Sequence, residues 1–163
     1  MATQTASVLL ARDIMTTRLI TLDPDMDVFH GIKVLVKNKI SGAPVVDSHK
    51  TLLGIFSEKC CMKVLIDAAY DGLPTNQIGK FMDDDPTTIT PETDLLTIAQ
   101  IFLTTPRRRL PVVEGRKLVG QVSRRDVIVA ASKIMTLDKN HQPPKKVLLY
   151  LSALHEMNDA PAV

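Results

Sequence analysis

The sequence has little cysteine, little net charge and no long apolar run. Of its 163 residues only Cys60 and Cys61 are cysteines, and two neighbouring thiols give no disulfide framework. Such sparse cysteine is typical of the reducing cytosol, so we expect a cytoplasmic protein. A net charge of +2 does not indicate a general nucleic-acid binder, and no apolar run approaches the roughly 20 residues of a membrane span. Residues 1–15 also lack the basic start of a secretory signal.

Catalytic and metal-binding motifs are missing as well. The four histidines show no metal-ligand spacing, and the isolated acidic run Asp83–Asp85 supplies no cage for a divalent ion. We find no nucleophile with a base at a readable spacing, no Walker loop and no Rossmann glycine set. Cys60 and Cys61 could form a redox pair, but inert thiols are favoured because adjacent cysteines close only a strained disulfide. We therefore predict no metal, no catalytic residue, no catalytic cofactor and no enzymatic activity.

The strongest feature of the sequence is a duplication. Two phrases, SGAPVVDSHKTLLGIFS at 41–57 and RRLPVVEGRKLVGQVS at 108–123, share their apolar positions. The period is too long for a solenoid and occurs twice, which indicates two copies of a unit of about sixty residues. The landmarks that recur 66 or 67 residues apart are Met15 with Met82, Pro24 with Pro91, Pro44 with Pro111, and Gly54 with Gly120.

Each copy has the same predicted order of elements: strand, helix, strand, strand, helix. Apolar residues spaced for one helix face follow a proline turn in both copies, from Val28 to Leu35 and from Leu95 to Phe102. Gly115 lies where the second copy needs a hairpin turn. Ser57 and Ser123 stand where helix N-caps belong. The predicted first extended piece and last helix are Leu19–Leu22 and Glu58–Ala69 in the first copy, and Thr87–Ile89 and Arg124–Met135 in the second.

Together, the element order, the xPVVD/E strand and the G-x-x-S-x-x-D ending are similar to the CBS domain, named after cystathionine β-synthase. The resemblance covers Ala11 to Ser132, most of the chain, although no single motif is unique to the family. It implies an α+β fold in which two βαββα CBS repeats pack about a pseudo-two-fold axis as a stand-alone Bateman module, with flanking N- and C-terminal helices. The implied domains are a first repeat at 11–72, a second at 78–135 and a C-terminal extension at 136–163.

In CBS modules an adenosine-containing ligand often binds in the cleft between the repeats. The family's serine and aspartate, which contact the ribose hydroxyls, match Ser123 and Asp126. A carboxylate suits this task because charged acceptors make the stronger hydrogen bonds. In the first repeat Ser57 matches the serine, but Cys60 replaces the aspartate, and a thiol is a weak donor and acceptor. We therefore expect one competent half-site and one degraded half-site.

The resemblance also implies a phosphate contact and an adenine wall in the competent site. Basic residues just before the PVV strand commonly contact phosphate in the family, which selects Arg108 and Arg109 here, and guanidinium groups match phosphate oxygens well. The adenine wall, which is largely backbone in the family, falls on the first repeat at Ile40, Ser41 and Gly42. The expected ligand is AMP, ADP or ATP, with S-adenosylmethionine or NAD as the alternative.

Each of these residues also has a purely structural explanation. Ser123 could be only a helix cap and Asp126 its first-turn partner, while the arginines could form a solvated edge or a dimer contact. The module would then be a ligand-free scaffold that dimerises or docks on a partner enzyme or transporter. Nucleic-acid binding is a distant third hypothesis, because the acidic run Asp83–Asp85 counts against it.

Two further expectations concern assembly. Low aromatic content and apolar helix positions favour a homodimer, since CBS modules commonly pair through helices. In the C-terminal extension, Val147, Leu151 and Leu154 share helical spacing, which predicts an amphipathic helix. That helix would either pad the module's own core or meet an unidentified protein partner. We expect no membrane partner.

Overall fold

The computed structural model describes residues 8–70, 72 and 76–134. Within these residues it contains five α-helices, one short 3₁₀ helix and two two-stranded sheets, which confirms the predicted α+β class. The C-terminal helix predicted around Val147 to Leu154 lies outside the described residues. The elements are α1 Ala11–Ile14, α2 Val28–Asn38, β1 Gly42–Val46, β2 Leu52–Ser57, α3 Glu58–Tyr70, the 3₁₀ helix Ile78–Lys80, α4 Leu95–Thr104, β3 Arg109–Glu114, β4 Lys117–Ser123 and α5 Arg124–Ile134.

The order of these elements is the predicted one, with one difference in each copy. The short extended pieces before the first helices are single parallel bridges, Leu22 with Val45 and Ile89 with Val112. Neither piece forms a longer strand, because a turn begins two residues after each bridge, at Pro24 and at Pro91, and ends the pairing. The N-terminal flanking helix is present as α1, which has only one turn.

Helices α2 and α4 begin at aspartates that the sequence analysis did not single out. The Asp27 carboxylate accepts hydrogen bonds from two backbone N–H groups in the first turn of α2, at 2.9 and 3.1 Å. Asp94 does the same for α4, at 3.0 and 3.1 Å. Both aspartates directly precede the first apolar residue of the helix, which is the usual sequence signal for an N-cap.

The internal packing divides the described chain into two compact units. We call residues 16–90 with 110–121 the sheet unit, because it holds most of all four strands. The described residues of 1–15, 91–109 and 122–163 form the helix unit, which holds α1, α4 and α5. The division does not follow the duplication, since the sheet unit combines most of the first copy with most of the β3–β4 hairpin of the second.

The core of the sheet unit is built around Phe56 in β2, whose side chain is fully buried. Strand β1 pairs antiparallel with β2, from Gly42 opposite Ser57 to Val45 opposite Gly54. Helix α2 approaches this core closely at Gly31, where a Cβ would lie 2.5 Å from a side-chain carbon of Ile78. The buried side chains that share the core with Phe56 include Leu22, Val28, Leu35, Val45, Val64 and Ile78.

The lead-in segments of the two copies, the residues before the first extended piece of each copy, are exchanged within the sheet unit. Asp83, in the lead-in segment of the second copy, exchanges two backbone hydrogen bonds of 2.9 Å with Ile55 of β2. Thr16, in the lead-in segment of the first copy, exchanges bonds of 2.9 and 3.0 Å with Gln121 of β4. Gly54 permits the first contact, because a Cβ there would lie 2.5 Å from the Asp83 carbonyl oxygen. Each hairpin is therefore extended by the segment that leads into the other copy.

The two hairpins are also joined near their turns. The Leu52 N–H donates to the Arg116 carbonyl at 2.9 Å, and the Leu118 N–H donates to the Lys50 carbonyl at 3.0 Å. Asp47 organises the first turn, because its carboxylate accepts the Thr51 N–H at 2.8 Å. This hydrogen bond lowers the pKa of the Asp47 carboxyl. The turn conformation is thus stabilised by the ionised carboxylate.

The helix unit has buried side chains of its own. The Ala11 N–H donates to the Thr93 carbonyl at 2.8 Å, and the Leu95 N–H donates to the Leu9 carbonyl at 3.0 Å, so the N-terminal segment lies along the start of α4. Ala11 and Ile98 are fully buried in this unit. Helices α4 and α5 also contact each other in it. Helix α5 is thereby packed against α4, and Ser123 and Asp126 lie at the start of α5.

Candidate functional site

Ser123 and Asp126 form a reciprocal cap at the start of α5. The Asp126 Oδ2 atom accepts the Ser123 N–H at 2.7 Å and the Ser123 hydroxyl at 2.6 Å. In return, the Asp126 N–H donates to Ser123 Oγ at 3.2 Å. This is the capping-box arrangement, with serine at the N-cap and the acid three residues later. The purely structural role considered for this pair in the sequence analysis is therefore present.

The cap leaves one oxygen of the carboxylate for another partner. Both hydrogen bonds from Ser123 go to Oδ2, and in the described part of the chain no hydrogen bond reaches Asp126 Oδ1. Asp126 is partly exposed. An ionised carboxylate can accept about four hydrogen bonds through its two oxygens. Capping of α5 and acceptance of a ligand hydroxyl are therefore compatible at Asp126.

Arg108 and Arg109 lie in the same unit as this cap. The Arg108 carbonyl accepts the Arg124 N–H at 3.4 Å, which places the backbone of Arg108 beside the start of α5. The Arg108 side chain is exposed and that of Arg109 is partly exposed. Among the described residues neither guanidinium has a carboxylate partner within salt-bridge distance. Their charge is therefore available to an anion, as the phosphate hypothesis requires.

Arg124 has a different role from these two arginines. Its guanidinium Nη2 donates to the Phe102 carbonyl at 3.4 Å, and its Cζ lies 5.9 Å from the centre of the Phe102 ring. Both contacts tie the start of α5 to α4 through a hydrogen bond and a cation–π interaction. No local pattern in the sequence predicts this pair, because the two residues are 22 positions apart in different helices.

The equivalent position in the sheet unit contains sulfur instead of a carboxylate. Ser57 ends β2 and precedes α3, and its Oγ lies 3.4 Å from the Sγ of Cys60. The Cys60 thiol also donates to the Ile55 carbonyl at 3.7 Å. These are weak hydrogen bonds, and Cys60 is only 8% exposed. The thiol is thus a core side chain with little capacity to accept a ligand hydroxyl.

Ile40, Ser41 and Gly42 lie beside the start of α3 in the sheet unit. The Ser41 carbonyl accepts the Glu58 N–H at 3.0 Å, which corresponds to the Arg108–Arg124 contact of the second copy. A Cβ at Gly42 would lie 3.2 Å from the Cβ of Ser57, so the strand approaches the helix start closely at this position. The structure therefore groups Ser41, Gly42, Ser57 and Cys60 in one unit, and Arg108, Arg109, Ser123 and Asp126 in the other.

Cys61 is expected to react slowly with thiol reagents. Burial and the neighbouring Cys60 raise the pKa of the Cys61 thiol, so less of the nucleophilic thiolate is present near neutral pH. We predict that 5,5′-dithiobis(2-nitrobenzoate) at pH 8 modifies Cys61 at least several-fold more slowly than a cysteine in a short unstructured peptide. Cys61→Ser identifies the contribution of this residue to the signal. A native protein that reacts as fast as the peptide would contradict the prediction.

The described residues contain neither a cluster of metal ligands nor a helix of membrane-spanning character. No group of three or more His, Cys, Asp or Glu side chains is placed to hold a metal ion there. Within the same residues, no helix combines the length and apolar character that membrane crossing requires. Both cysteines are free thiols.

Comparison with known proteins identifies the relatives of the chain. The CBS domain family model matches residues 11–67 and 78–133. The crystal structure of CBSX2 in complex with AMP is similar, at 33% identity and a TM-score of 0.67 over 77% of this chain and 97% of that chain. CBSX2 is a CBS-pair protein from Arabidopsis thaliana.

Two curated relatives are considerably longer than the matched region. The uncharacterised protein MJ1225 of Methanocaldococcus jannaschii is 28% identical over 117 residues, which cover 72% of this chain and 41% of that protein. The A-adding tRNA nucleotidyltransferase of Aquifex aeolicus is 30% identical over 125 residues, which cover 77% of this chain and 15% of that enzyme. The chain thus spans less than half of either relative. With a family model matched in both copies, and with the strand and helix order described above, the chain belongs to the CBS domain family and carries a pair of CBS domains.

Proposed function

We propose that this CBS pair is a regulatory module that binds an adenine nucleotide, AMP, ADP or ATP, at a single site. In this proposal Asp126 accepts a ribose hydroxyl through Oδ1 while Ser123 adds a second polar contact. Arg108 and Arg109 bind the phosphate. The backbone of Ile40, Ser41 and Gly42 forms the adenine wall.

The observation that carries the proposal is the divided use of the Asp126 carboxylate. One oxygen holds the cap of α5 and the other has no hydrogen-bond partner among the described residues. The cap fixes the carboxylate before a ligand arrives, which reduces the entropy lost on binding. The AMP complex of CBSX2, a relative at 33% identity, gives further support for an adenosine ligand.

The arginines favour a phosphorylated ligand over the alternatives. S-adenosylmethionine has a cationic sulfonium, which the guanidinium groups of Arg108 and Arg109 would repel unless Glu114 or Asp126 offset them. NAD has a pyrophosphate that arginines can bind, so NAD is still a candidate ligand. Any regulatory effect is limited by the preference of the ligand between two states of the module.

The alternative function is a ligand-free scaffold that dimerises or docks on an enzyme or transporter. The complete capping box supports it, because Ser123 and Asp126 already have a structural role. Both hypotheses, the nucleotide-binding module and the scaffold, include a homodimer and an unidentified protein partner.

The proposed location is cytoplasmic. This proposal rests on the sparse cysteines, whereas the relative CBSX2 is named as chloroplastic.

Thermal-shift and calorimetric titrations test the proposed function directly. The panel consists of AMP, ADP, ATP, S-adenosylmethionine and NAD, with GMP as a matched control for the base. We expect one adenine nucleotide to bind once per chain and, at one hundred times its dissociation constant, to add about 2.7 kcal/mol to the free energy of unfolding. If no adenosine compound stabilises the protein, the scaffold is the better function.

A further inference from the structure

Helix α2 has an exposed face that is apolar along one edge and basic along the other. Phe29 is 47% exposed and Val36 is 72% exposed. Lys33 and Lys37, which are also exposed, lie beside them, since positions 29, 33, 36 and 37 fall within about one third of the helix circumference. We call these four residues the α2 patch. The opposite face of the helix is buried in the core of the sheet unit.

The positive charge of the α2 patch is not balanced by its surroundings. Residues 28–39 contain no acid, and in the described part of the chain no carboxylate lies within salt-bridge distance of Lys33 or Lys37. The Asp27 carboxylate accepts two backbone N–H groups of the first turn and the side-chain amide of Asn76. Helix α3, which contacts α2, has two lysines and two acids and leaves the excess unchanged. The helix dipole favours a cation in the last turn, at Lys37, but it does not explain Lys33 in the middle of α2.

The corresponding helix of the second copy keeps the apolar residues and lacks the charge. With the offset of 67 residues, Leu96 and Leu103 of α4 correspond to the apolar residues of the α2 patch, and they are 40% and 85% exposed. Gln100 and Thr104 stand at the positions of the two lysines, and α4 contains no charged residue. The apolar positions are therefore common to both copies, whereas the lysines belong to α2 alone. A partner that is selected by charge would bind α2 and not α4.

We propose that the α2 patch docks an acidic, amphipathic helical segment of a protein partner, whose carboxylates meet the two lysines and whose apolar side chains cover Phe29 and Val36. Charge complementarity selects this partner, because lysines that border an apolar surface attract carboxylates and repel basic segments. With 11 residues, α2 offers a strip the size of one partner helix, whereas binding to a membrane surface takes a larger apolar face. The proposal rests on the protein partner included in the proposed function, names the chemistry of that partner, and does not depend on nucleotide binding.

Fluorescence anisotropy with the full chain tests the proposal. The probe is a fluorescein-labelled amphipathic peptide of about 15 residues, in which leucines form one helix face and glutamates flank them. Because the patch is small, we expect a weak dissociation constant of about 10–100 µM at an ionic strength of about 0.02 M. The same peptide with glutamine in place of glutamate should bind at least about fivefold more weakly. An ionic strength of about 0.3 M should weaken the glutamate peptide similarly, because exposed charges are then screened.

Two pairs of substitutions locate the charge contact. Lys33→Gln with Lys37→Thr places the α4 residues in the α2 patch and should weaken binding of the glutamate peptide at least about fivefold. Lys50→Gln with Lys117→Thr is the matched control, since it removes the same charge from two exposed positions at the hairpin turns. The control pair should change the affinity by less than about twofold.

The apolar edge has its own pair of variants. Phe29→Ala should weaken peptide binding about fivefold, because aromatic side chains contribute strongly where they become buried in an interface. Leu96→Ala, at the corresponding position of α4, should leave the affinity unchanged. Circular dichroism checks that each variant folds.

The proposal is overturned if the glutamate peptide binds no more tightly than the glutamine peptide, or if Lys33→Gln with Lys37→Thr keeps the affinity of the parent. Loss of binding in Arg108→Gln with Arg109→Gln instead would assign the peptide to those arginines. Binding to vesicles with about one third phosphatidylserine, but not to the peptide, would indicate a lipid surface and contradict the proposal. So would a dimer of the parent that the α2 double variant dissociates in sedimentation experiments, because a second copy would then cover the patch. Nucleotide titration of the same variants separates this proposal from the proposed function, since neither lysine of the α2 patch is a proposed ligand residue.

Discussion

Asp126→Ala should weaken nucleotide binding by about 10- to 100-fold while the protein stays folded. A hydrogen bond to a charged group contributes about 1.5–3 kcal/mol, and each 1.4 kcal/mol corresponds to a factor of ten in affinity. The substitution also removes the capping box, which should lower the free energy of unfolding by about 1 kcal/mol. Calorimetry well below the midpoint of thermal unfolding measures the first effect without the second.

The duplication supplies a matched control for this experiment. Cys60→Ala changes the corresponding position of the first repeat, where the thiol makes only weak contacts with Ser57 and Ile55. We expect its nucleotide affinity to stay within about twofold of the parent, because a thiol is a poor acceptor. The variant Asp126→Asn keeps a side-chain oxygen that can accept the capping hydrogen bonds of α5, but it removes the negative charge of the carboxylate. A folded Asp126→Ala protein with the affinity of the parent would show that the ligand contacts other residues.

Phe56→Ala should lower the free energy of unfolding by about 3–5 kcal/mol, the largest stability effect that we expect from one substitution. Phe56 has no exposed surface and lies in the core of the sheet unit between β1, α2 and the 3₁₀ helix. Removal of the ring leaves a cavity that a close-packed core cannot fill without displacing other side chains. Urea unfolding with linear extrapolation measures the change.

Leu103→Ala is the control, because it removes a large apolar side chain from an exposed position instead of a buried one. Leu103 is 85% exposed, so its replacement should change the free energy of unfolding by less than about 0.5 kcal/mol. If Phe56→Ala cost less than about 1 kcal/mol, the ring could not be the central side chain of the core. The two repeats would then depend on other contacts for their stability.

Local patterns in the sequence predict the helices and strands well. Apolar spacing, proline turns and the serines before α3 and α5 depend on neighbours within a few residues, and Ser123 is indeed the cap of α5. The fold class and the family follow from the duplication of these patterns. The aspartates Asp27 and Asp94 could have been recognised by the same reasoning, since each directly precedes a helical apolar run.

Contacts between distant segments could not be predicted in this way. The pairing of Thr16 with Gln121 and the packing of Arg124 on Phe102 leave no periodic signal, because each depends on how the chain returns to itself. The site residues show the same limit. The sequence indicates which side chains match the family motif. Only the geometry shows that Oδ2 of Asp126 caps α5 while Oδ1 accepts no hydrogen bond among the described residues. Ligand contact at these residues stays a prediction.

The exchanged lead-in segments have a consequence for the order of folding during synthesis. Asp83 follows its partner Ile55 by 28 residues, so this pairing can form soon after the first repeat leaves the ribosome. Thr16 must wait for Gln121, which is made 105 residues later. Because a growing chain folds from its N-terminus, the first hairpin is extended by the lead-in segment of the second repeat before the lead-in segment of the first repeat can pair with β4. A chain with one repeat would lack the lead-in segment of the other, so the exchange requires both copies in one molecule.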